Sequence, residues 1–192
     1  KNAWFFPTQL AIGAIAILLI FPSWKRVEGD QHMYRLTVAQ LSHNWTKMLK
    51  EAKLAENSFF ELDPMAGTPM QWYQGVAYFY QNDFPNALTA FEKAYSINPW
   101  HVQVMQNYGS ALIKTNQLDA GIDMYEKTLA LYPDFDECRK NLCEVYKALK
   151  KYPELRSTVS YWKDKTPGMG LNVYYQNTIS QLDSLQAGNS PQ

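Results

Sequence analysis

The sequence of 192 residues predicts an all-α protein: a right-handed array of about three and a half antiparallel helix pairs, closed by a capping helix and preceded by one transmembrane helix. Three observations predict it. An uncharged stretch of 23 residues runs from Asn2 to Trp24. Beyond residue 65 the chain repeats itself every 34 residues, and a proline closes each repeat. Composition excludes several classes. Eighteen Lys+Arg against 18 Asp+Glu leave no net charge to neutralise phosphates, which speaks against a general nucleic-acid binder. A mean hydropathy of −0.38 excludes a chain mostly embedded in lipid. Nine Gly and ten Pro are too few for a disordered or collagen-like chain, and two Cys cannot build a disulfide scaffold.

The first element is the apolar segment. Leu10–Phe21 is unbroken apolar sequence. At about 1.5 Å per residue, some 22 residues span about 33 Å, enough for a hydrocarbon layer of about 30 Å. Trp4, Phe5 and Phe6 stand at one end and Trp24 at the other, where amphipathic rings favour the interface. No basic start or small-residue cleavage site marks a signal peptide. Lys25, Arg26 and Arg35 follow the span and only Lys1 precedes it, so the positive-inside tendency places the rest of the chain in the cytoplasm, with a bacterial inner membrane as the expected location. A first residue that is Lys rather than Met suggests a piece of a longer polypeptide.

The expected organisation is a membrane segment with its basic flank at 1–26, a degenerate first helix pair at 27–67, three repeats at 68–101, 102–135 and 136–169, a capping helix at 170–186 and a disordered tail at 187–192. In the first pair, 25–30 is read as a joint, 31–42 as one helix, and 45–61 as a second helix lengthened by about one turn. Six columns share the 34-residue step: Gly75/Gly109/Cys143, Tyr78/Leu112/Tyr146, Phe84/Leu118/Tyr152, Ala87/Gly121/Leu155, Phe91/Tyr125/Val159 and Pro99/Pro133/Pro167. In the first repeat the spacing predicts helices over about 69–81 and 85–97. Gly75 and Ala87 stand where the two helices cross most closely, and aromatic rings fill the space between them. Proline cannot continue a helix, so each closing proline turns the chain into the next unit. One such unit cannot bury its apolar face alone. Leu155 and Trp162 replace the small Ala87 and Ala94, which suggests looser packing in the third repeat. Leu171, Tyr174, Tyr175, Thr178 and Leu182 form one face of the capping helix.

This period, with Gly, aromatic, Ala, Phe and Pro at these offsets, resembles the tetratricopeptide repeat. The segment from Leu62-Asp63-Pro64 through Gly67-Thr68-Pro69, Trp72-Tyr73, Gly75-Val76-Ala77, Asn98-Pro99, Asn107 and Gly109 to Asn141-Leu142 also resembles the repeat regions that follow the last span of O-antigen ligase/polymerase-like membrane proteins of Bacteroidetes. That resemblance implies a parent that transfers lipid-linked glycans. None of its catalytic residues can be carried onto this chain.

No catalytic or metal constellation is legible, and no cofactor or metal is expected. His32, His43 and His101 fall on different units, and no Gly-rich phosphate loop is present. Cys138 and Cys143 point about 140° apart on one helix and cannot pair within it. Cys143 is read as core and Cys138 as a half-buried free thiol. Asn44-Trp45-Thr46 matches a glycosylation sequon, but the place of Trp45 in packing argues against its use.

Binding is the better expectation. With Gly75 as the eighth position of its unit, positions 2, 5, 6, 9, 12 and 13 of each first helix face a concave groove. The first repeat offers Trp72, Tyr73, Val76, Phe79 and Tyr80. The second offers Gln103, Gln106, Asn107, Ser110 and Lys114, and the third Glu137, Lys140, Asn141, Glu144 and Lys147. Asn107 and Asn141 can each donate to and accept from an extended peptide backbone. Tyr73 and Phe79 have an alternative reading, as filler against the first helix pair. A two-carboxylate clamp is not expected, because positions 5 and 9 hold Trp72 and Val76. The leading reading is a non-catalytic protein-interaction module tethered to a membrane, taking a peptide or partner helix in the groove. The alternatives are an accessory region of a glycan ligase or polymerase, and direct sugar-chain binding through Trp72, Tyr73 and Tyr80.

Overall fold

The computed structural model describes residues 5–56, 62–63, 66–163 and 169–188. They form nine α-helices and one 3₁₀ turn: α1 (Phe5–Leu41), α2 (Trp45–Ala55), α3 (Met70–Tyr80), α4 (Phe84–Ile97), α5 (Val102–Lys114), α6 (Leu118–Leu131), α7 (Asp136–Ala148), α8 (Tyr152–Val159), the turn Ser160–Trp162, and α9 (Met169–Gly188). Among the described residues the extended pairing is a single bridge, Leu62 to Pro69. The chain divides into two compact units, Lys1–Thr115 and Asn116–Gln192. That boundary falls inside the segment the period assigns to the second repeat.

The 34-residue step is written into the backbone. Asn82, Asn116 and Lys150, one period apart, all adopt the left-handed conformation, with φ of 60°, 63° and 57°, and His43 does the same after α1 at 53°. Each lets a helix end and the next begin within three residues. Asn tolerates this conformation because its short side chain bonds locally, whereas Lys does not. Lys150→Gly is therefore expected to raise the unfolding free energy by about 0.5–1 kcal/mol, read as a higher urea midpoint with an unchanged slope. The helix starts are locally encoded too. Asn44 caps α2 by accepting from the Lys47 amide at 3.0 Å, and Asp83 caps α4, where Pro85 sits in the first turn. Pro99 and Pro133 occupy matching turns after α4 and α6; Pro167 lies outside the described residues.

In the first unit, α2, α3, α4 and α5 pack in chain order around Met48, Ala52, Met70, Ala77, Ala87, Phe91 and Ala94, all at most 1% exposed. A Cβ built on Gly75 would stand 2.5 Å from the Phe91 ring, so only glycine lets α3 and α4 approach this closely. In the second unit the core is Tyr125, Cys138, Leu142, Cys143, Tyr146, Leu155, Val159, Trp162 and Leu182.

Four expectations are corrected. The stretch 25–30 is not a joint: α1 runs unbroken through it and through Pro22, so the apolar segment and the first helix of the first pair are one helix of 37 residues. Its last turns pack on α2, where His32 Nδ1 lies 2.7 Å from Glu51 Oε2. The second helix of that pair is not lengthened. It ends at Ala55, and Glu56 is extended because its carboxylate accepts from two amides of α3. The third repeat is not loosely packed around its large residues, since Leu155 and Trp162 are each 2% exposed. The chain accommodates the indole by shortening α8 to eight residues and carrying Trp162 on the 3₁₀ turn. The capping helix reaches Gly188, so residues 187 and 188 belong to it, and 189–192 lie outside the described residues.

Candidate functional site

The residues expected to line a groove separate into two kinds once their neighbours are known. On α3 they are mostly interior. Every residue from Met70 to Ala77 is buried, because α3 is packed between α2 and α4 and touches α5. Trp72, Tyr73 and Val76 are 8%, 8% and 7% exposed. The Tyr73 hydroxyl donates to Asp63 Oδ2 at 2.8 Å, and burial together with that carboxylate pushes its pKa well above the usual tyrosine value. The Trp72 indole meets the Tyr73 ring edge-on at 5.0 Å. Phe79 is half-buried against Phe84 and Phe91. Tyr80 is exposed, its ring stacked on Trp45 with centroids 4.2 Å apart.

On α5 the expected residues form a polar surface. Gln103 and Lys114 are exposed, Asn107 and Ser110 half-buried, and Gln106 buried. Ser110 donates back to the Gln106 carbonyl at 3.0 Å, and the Lys114 ammonium stands 5.7 Å from the centre of the Phe84 ring.

The second unit carries its set on α7. Glu137, Lys140, Glu144 and Lys147 are exposed and Asn141 is half-buried. Two of them are engaged by α9. The Tyr174 hydroxyl donates to Glu144 Oε1 at 2.9 Å, and Lys140 Nζ lies 5.5 Å from the Tyr174 ring centre. Burial, with the Glu144 bond second, raises the Tyr174 pKa far above its ordinary value. The sequence foresaw a cap over an apolar face. It did not foresee a tyrosine reaching polar groove positions 30 residues upstream, which no periodic signal marks.

Sequence reasoning missed three further features. Gln71 and Gln74 occupy positions where apolar residues are ordinary, and both donate to the Glu56 carboxylate, Gln71 at 2.8 Å. Arg139 is buried on α7, donates to the Pro133 carbonyl at 2.7 Å and lies flat against Tyr161, 3.5 Å from its ring centre. A cavity of about 660 Å³ opens between α8 and α9, lined by Tyr152, Pro153, Arg156, Ser157, Ser160, Leu182 and Leu185. Arg156 at its wall pairs with Asp183 at 2.6 Å.

The histidines stay apart in their surroundings: His32 faces Glu51, His43 faces Trp45, and His101 Nε2 lies 3.0 Å from Thr68 Oγ1. Burial lowers the His101 pKa from its ordinary value. Cys138 is fully buried rather than half-buried, because its face of α7 turns into the second unit's core, and Cys143 is fully buried as well. Burial pushes both thiols up to about 12. Since the thiolate is the reactive form, native-state alkylation of either is expected to be slower than that of the unfolded chain by roughly three orders of magnitude. Timed iodoacetamide labelling with and without urea measures this. Rapid labelling of the native protein contradicts the burial.

Comparison with known proteins agrees with this architecture. Residues 71–99 and 102–135 each match a family model for the tetratricopeptide repeat. The peroxisomal targeting signal receptor of Saccharomyces cerevisiae is 28% identical over 123 residues, which is 62% of this chain; the chain spans 19% of that receptor's length. Among solved structures, a tetratricopeptide repeat protein from Parabacteroides merdae superposes with a TM-score of 0.66 at 12% identity, covering 82% of this chain and 60% of that one. MamA from Desulfovibrio magneticus superposes at 0.62 and 16% identity, covering 85% and 98%. The chain is thus a helical array bearing tetratricopeptide repeats. These matches support the repeat part of the resemblance described above and lend nothing to its ligase part.

Proposed function

We propose that this chain is a protein-interaction module held at a membrane by α1, and that it takes an extended peptide or a partner's helix through the first helices of its repeats. The observation that carries the binding half is the pair Asn107 and Asn141. They stand one period apart on α5 and α7, both half-buried, each beside accessible charged or amide neighbours. A half-buried amide is held in place yet keeps donor and acceptor capacity for a peptide backbone. Gln103, Ser110 and Lys114 flank Asn107; Lys140, Glu144 and Lys147 flank Asn141. The similarity to a receptor for targeting signals is consistent with peptide recognition. Because Trp72, Tyr73 and Val76 are packed inside the first unit, the aromatic end contributes through Tyr80, with Phe79 only half accessible, and sugar-chain stacking on Trp72 and Tyr73 is not proposed.

The membrane half rests on α1. Its residues Leu10, Ile12, Ile15, Ile17, Leu18, Ile20 and Phe21 are between 51% and 72% exposed, and no other described element covers them. A solvated surface of that kind is unfavourable unless lipid covers it. Tethering would raise the effective concentration of the module toward partners in the same membrane. The basic residues after the span favour a bacterial inner membrane with the repeats on the cytoplasmic side.

Two measurements test the proposal. A photo-crosslinking amino acid in place of Gln103 or Lys147 should trap one discrete partner in cells, and Asn107→Ala with Asn141→Ala should abolish the adduct while leaving the helical circular-dichroism spectrum unchanged. An adduct unaffected by the double substitution refutes the peptide reading. Ile17→Lys with Leu18→Lys costs about 3 kcal/mol per lysine at a span centre, and should move the chain from the carbonate-resistant membrane pellet to the supernatant. A wild-type chain that washes off in carbonate refutes the tether.

A further inference from the structure

The first unit has two unlike ends, and the α1 tether leaves through one of them. Joined by the short turn 42–44, α1 and α2 run antiparallel, and the His32–Glu51 contact fixes their register. Tyr80 stacks on Trp45 while Gln71 and Gln74 reach Glu56, so α3 starts where α2 ends. Asn98 Nδ2 donates to the Gly67 carbonyl at 3.1 Å and His101 lies beside Thr68, so the corner after α4 sits next to the segment that precedes α3. The end of α2, residues 62–63 and 66–69, and the corner 98–101 therefore share the end from which the apolar part of α1 departs. The opposite end is polar, built from His43, Asn44, Gln81, Asn82, Asp83 and Thr115.

The near end is not polar. Trp100 is 63% exposed, Leu54 48% and Leu62 40%. Its two acidic groups are already engaged, Glu56 by the glutamine amides and Asp63 by Tyr73. Lys25 and Arg26 lie on α1 just past Trp24.

The register also sets a height. From Trp24 to His32, α1 climbs about 12 Å, and from Glu51 to Ala55, α2 comes back about 6 Å. The end of α2 then lies about 6 Å above the level of Trp24, within a headgroup layer about 5–8 Å thick. Because α1 continues without a break into the helix that packs on α2, this height is held by helix rather than by linker.

We infer that the first unit docks this end, through Trp100, Leu62 and Leu54, into the headgroup layer of the bilayer that α1 enters. Indole rings favour that layer, and Lys25 and Arg26 would meet anionic headgroups there. The inference rests on the membrane reading above. It adds that the module stands on the bilayer in a fixed orientation, with its Asn82 end away from the lipid.

Depth-dependent quenching tests it with the full chain in vesicles of phosphatidylcholine and phosphatidylglycerol, with and without a nitroxide on the headgroup. Single environment-sensitive labels go on Trp24→Cys, Leu62→Cys and Gln81→Cys; the two native thiols are buried. Labels at 24 and 62 should lose roughly half their emission, as expected within the headgroup layer, and the label at 81 none. Adding Trp100→Ser should weaken the quenching at 62 and leave that at 24 unchanged. Quenching at 24 without quenching at 62 overturns the docking and keeps the tether. Quenching at neither position overturns both. Equal quenching at all three positions, or no effect of Trp100→Ser, overturns the oriented docking.

Discussion

Phe91→Ala is expected to remove about 3–5 kcal/mol of stability from the first unit. The ring is 1% exposed, touches Phe79, and fills the space a side chain at position 75 would take. Its removal leaves a cavity at the closest crossing of α3 and α4, where both backbones are already in contact range and cannot close further. The reciprocal substitution gives the sharper test. Alanine favours a helix over glycine by about 1 kcal/mol, so Gly75→Ala would stabilise an unencumbered helix. Here the new Cβ meets the Phe91 ring at 2.5 Å, and a net loss of about 1–3 kcal/mol is expected. Combining it with Phe91→Leu should cost less than the sum of the two, because the smaller side chain yields the space. Urea unfolding in detergent, followed by helical circular dichroism, measures all four proteins. Additive losses contradict the crossing.

Trp162→Ala is expected to cost the second unit about 3–5 kcal/mol. The indole is 2% exposed, donates to Asp136 Oδ1 at 2.7 Å, and meets the Tyr174 ring edge-on at 5.9 Å. One side chain therefore joins the start of α7, the 3₁₀ turn and α9. Trp162→Phe keeps most of the volume and loses the hydrogen bond, so it should cost about 1–2 kcal/mol. Hydrogen exchange across α9 should accelerate in the alanine variant well beyond the change seen in α7. An unchanged α9 would show that the indole does not hold the cap.

Both residues were legible in the sequence, with different success. Phe91 belongs to a column that recurs every 34 residues, and its contact with Gly75 joins neighbouring helices. Such contacts are repeated in each unit and leave a period that can be counted. Trp162 breaks its column and was read as a sign of loose packing. The structure turns it into an anchor by changing the backbone around it, from α-helix to 3₁₀ turn, and by giving the indole nitrogen a carboxylate. The same limit governs the groove positions. Periodicity said which face of α3 each residue occupies, but α2 and α4 determined that this helix is buried all round from Met70 to Ala77.

The sequence by itself determined the helical class, the helix pairs, the left-handed turn residues and an apolar helix long enough to cross a membrane. These follow from side-chain shape and backbone preference acting over a few residues, or from contacts between adjacent helices that recur at a constant step. Only the tertiary structure decided that α1 is one unbroken helix, that Glu56 binds Gln71 and Gln74, that Tyr174 reaches Glu144 and Lys140, and which amides stay accessible. Exposure and polar pairing are set by groups many residues away in the chain, and each such pairing occurs once, so no recurrence in the sequence announces it.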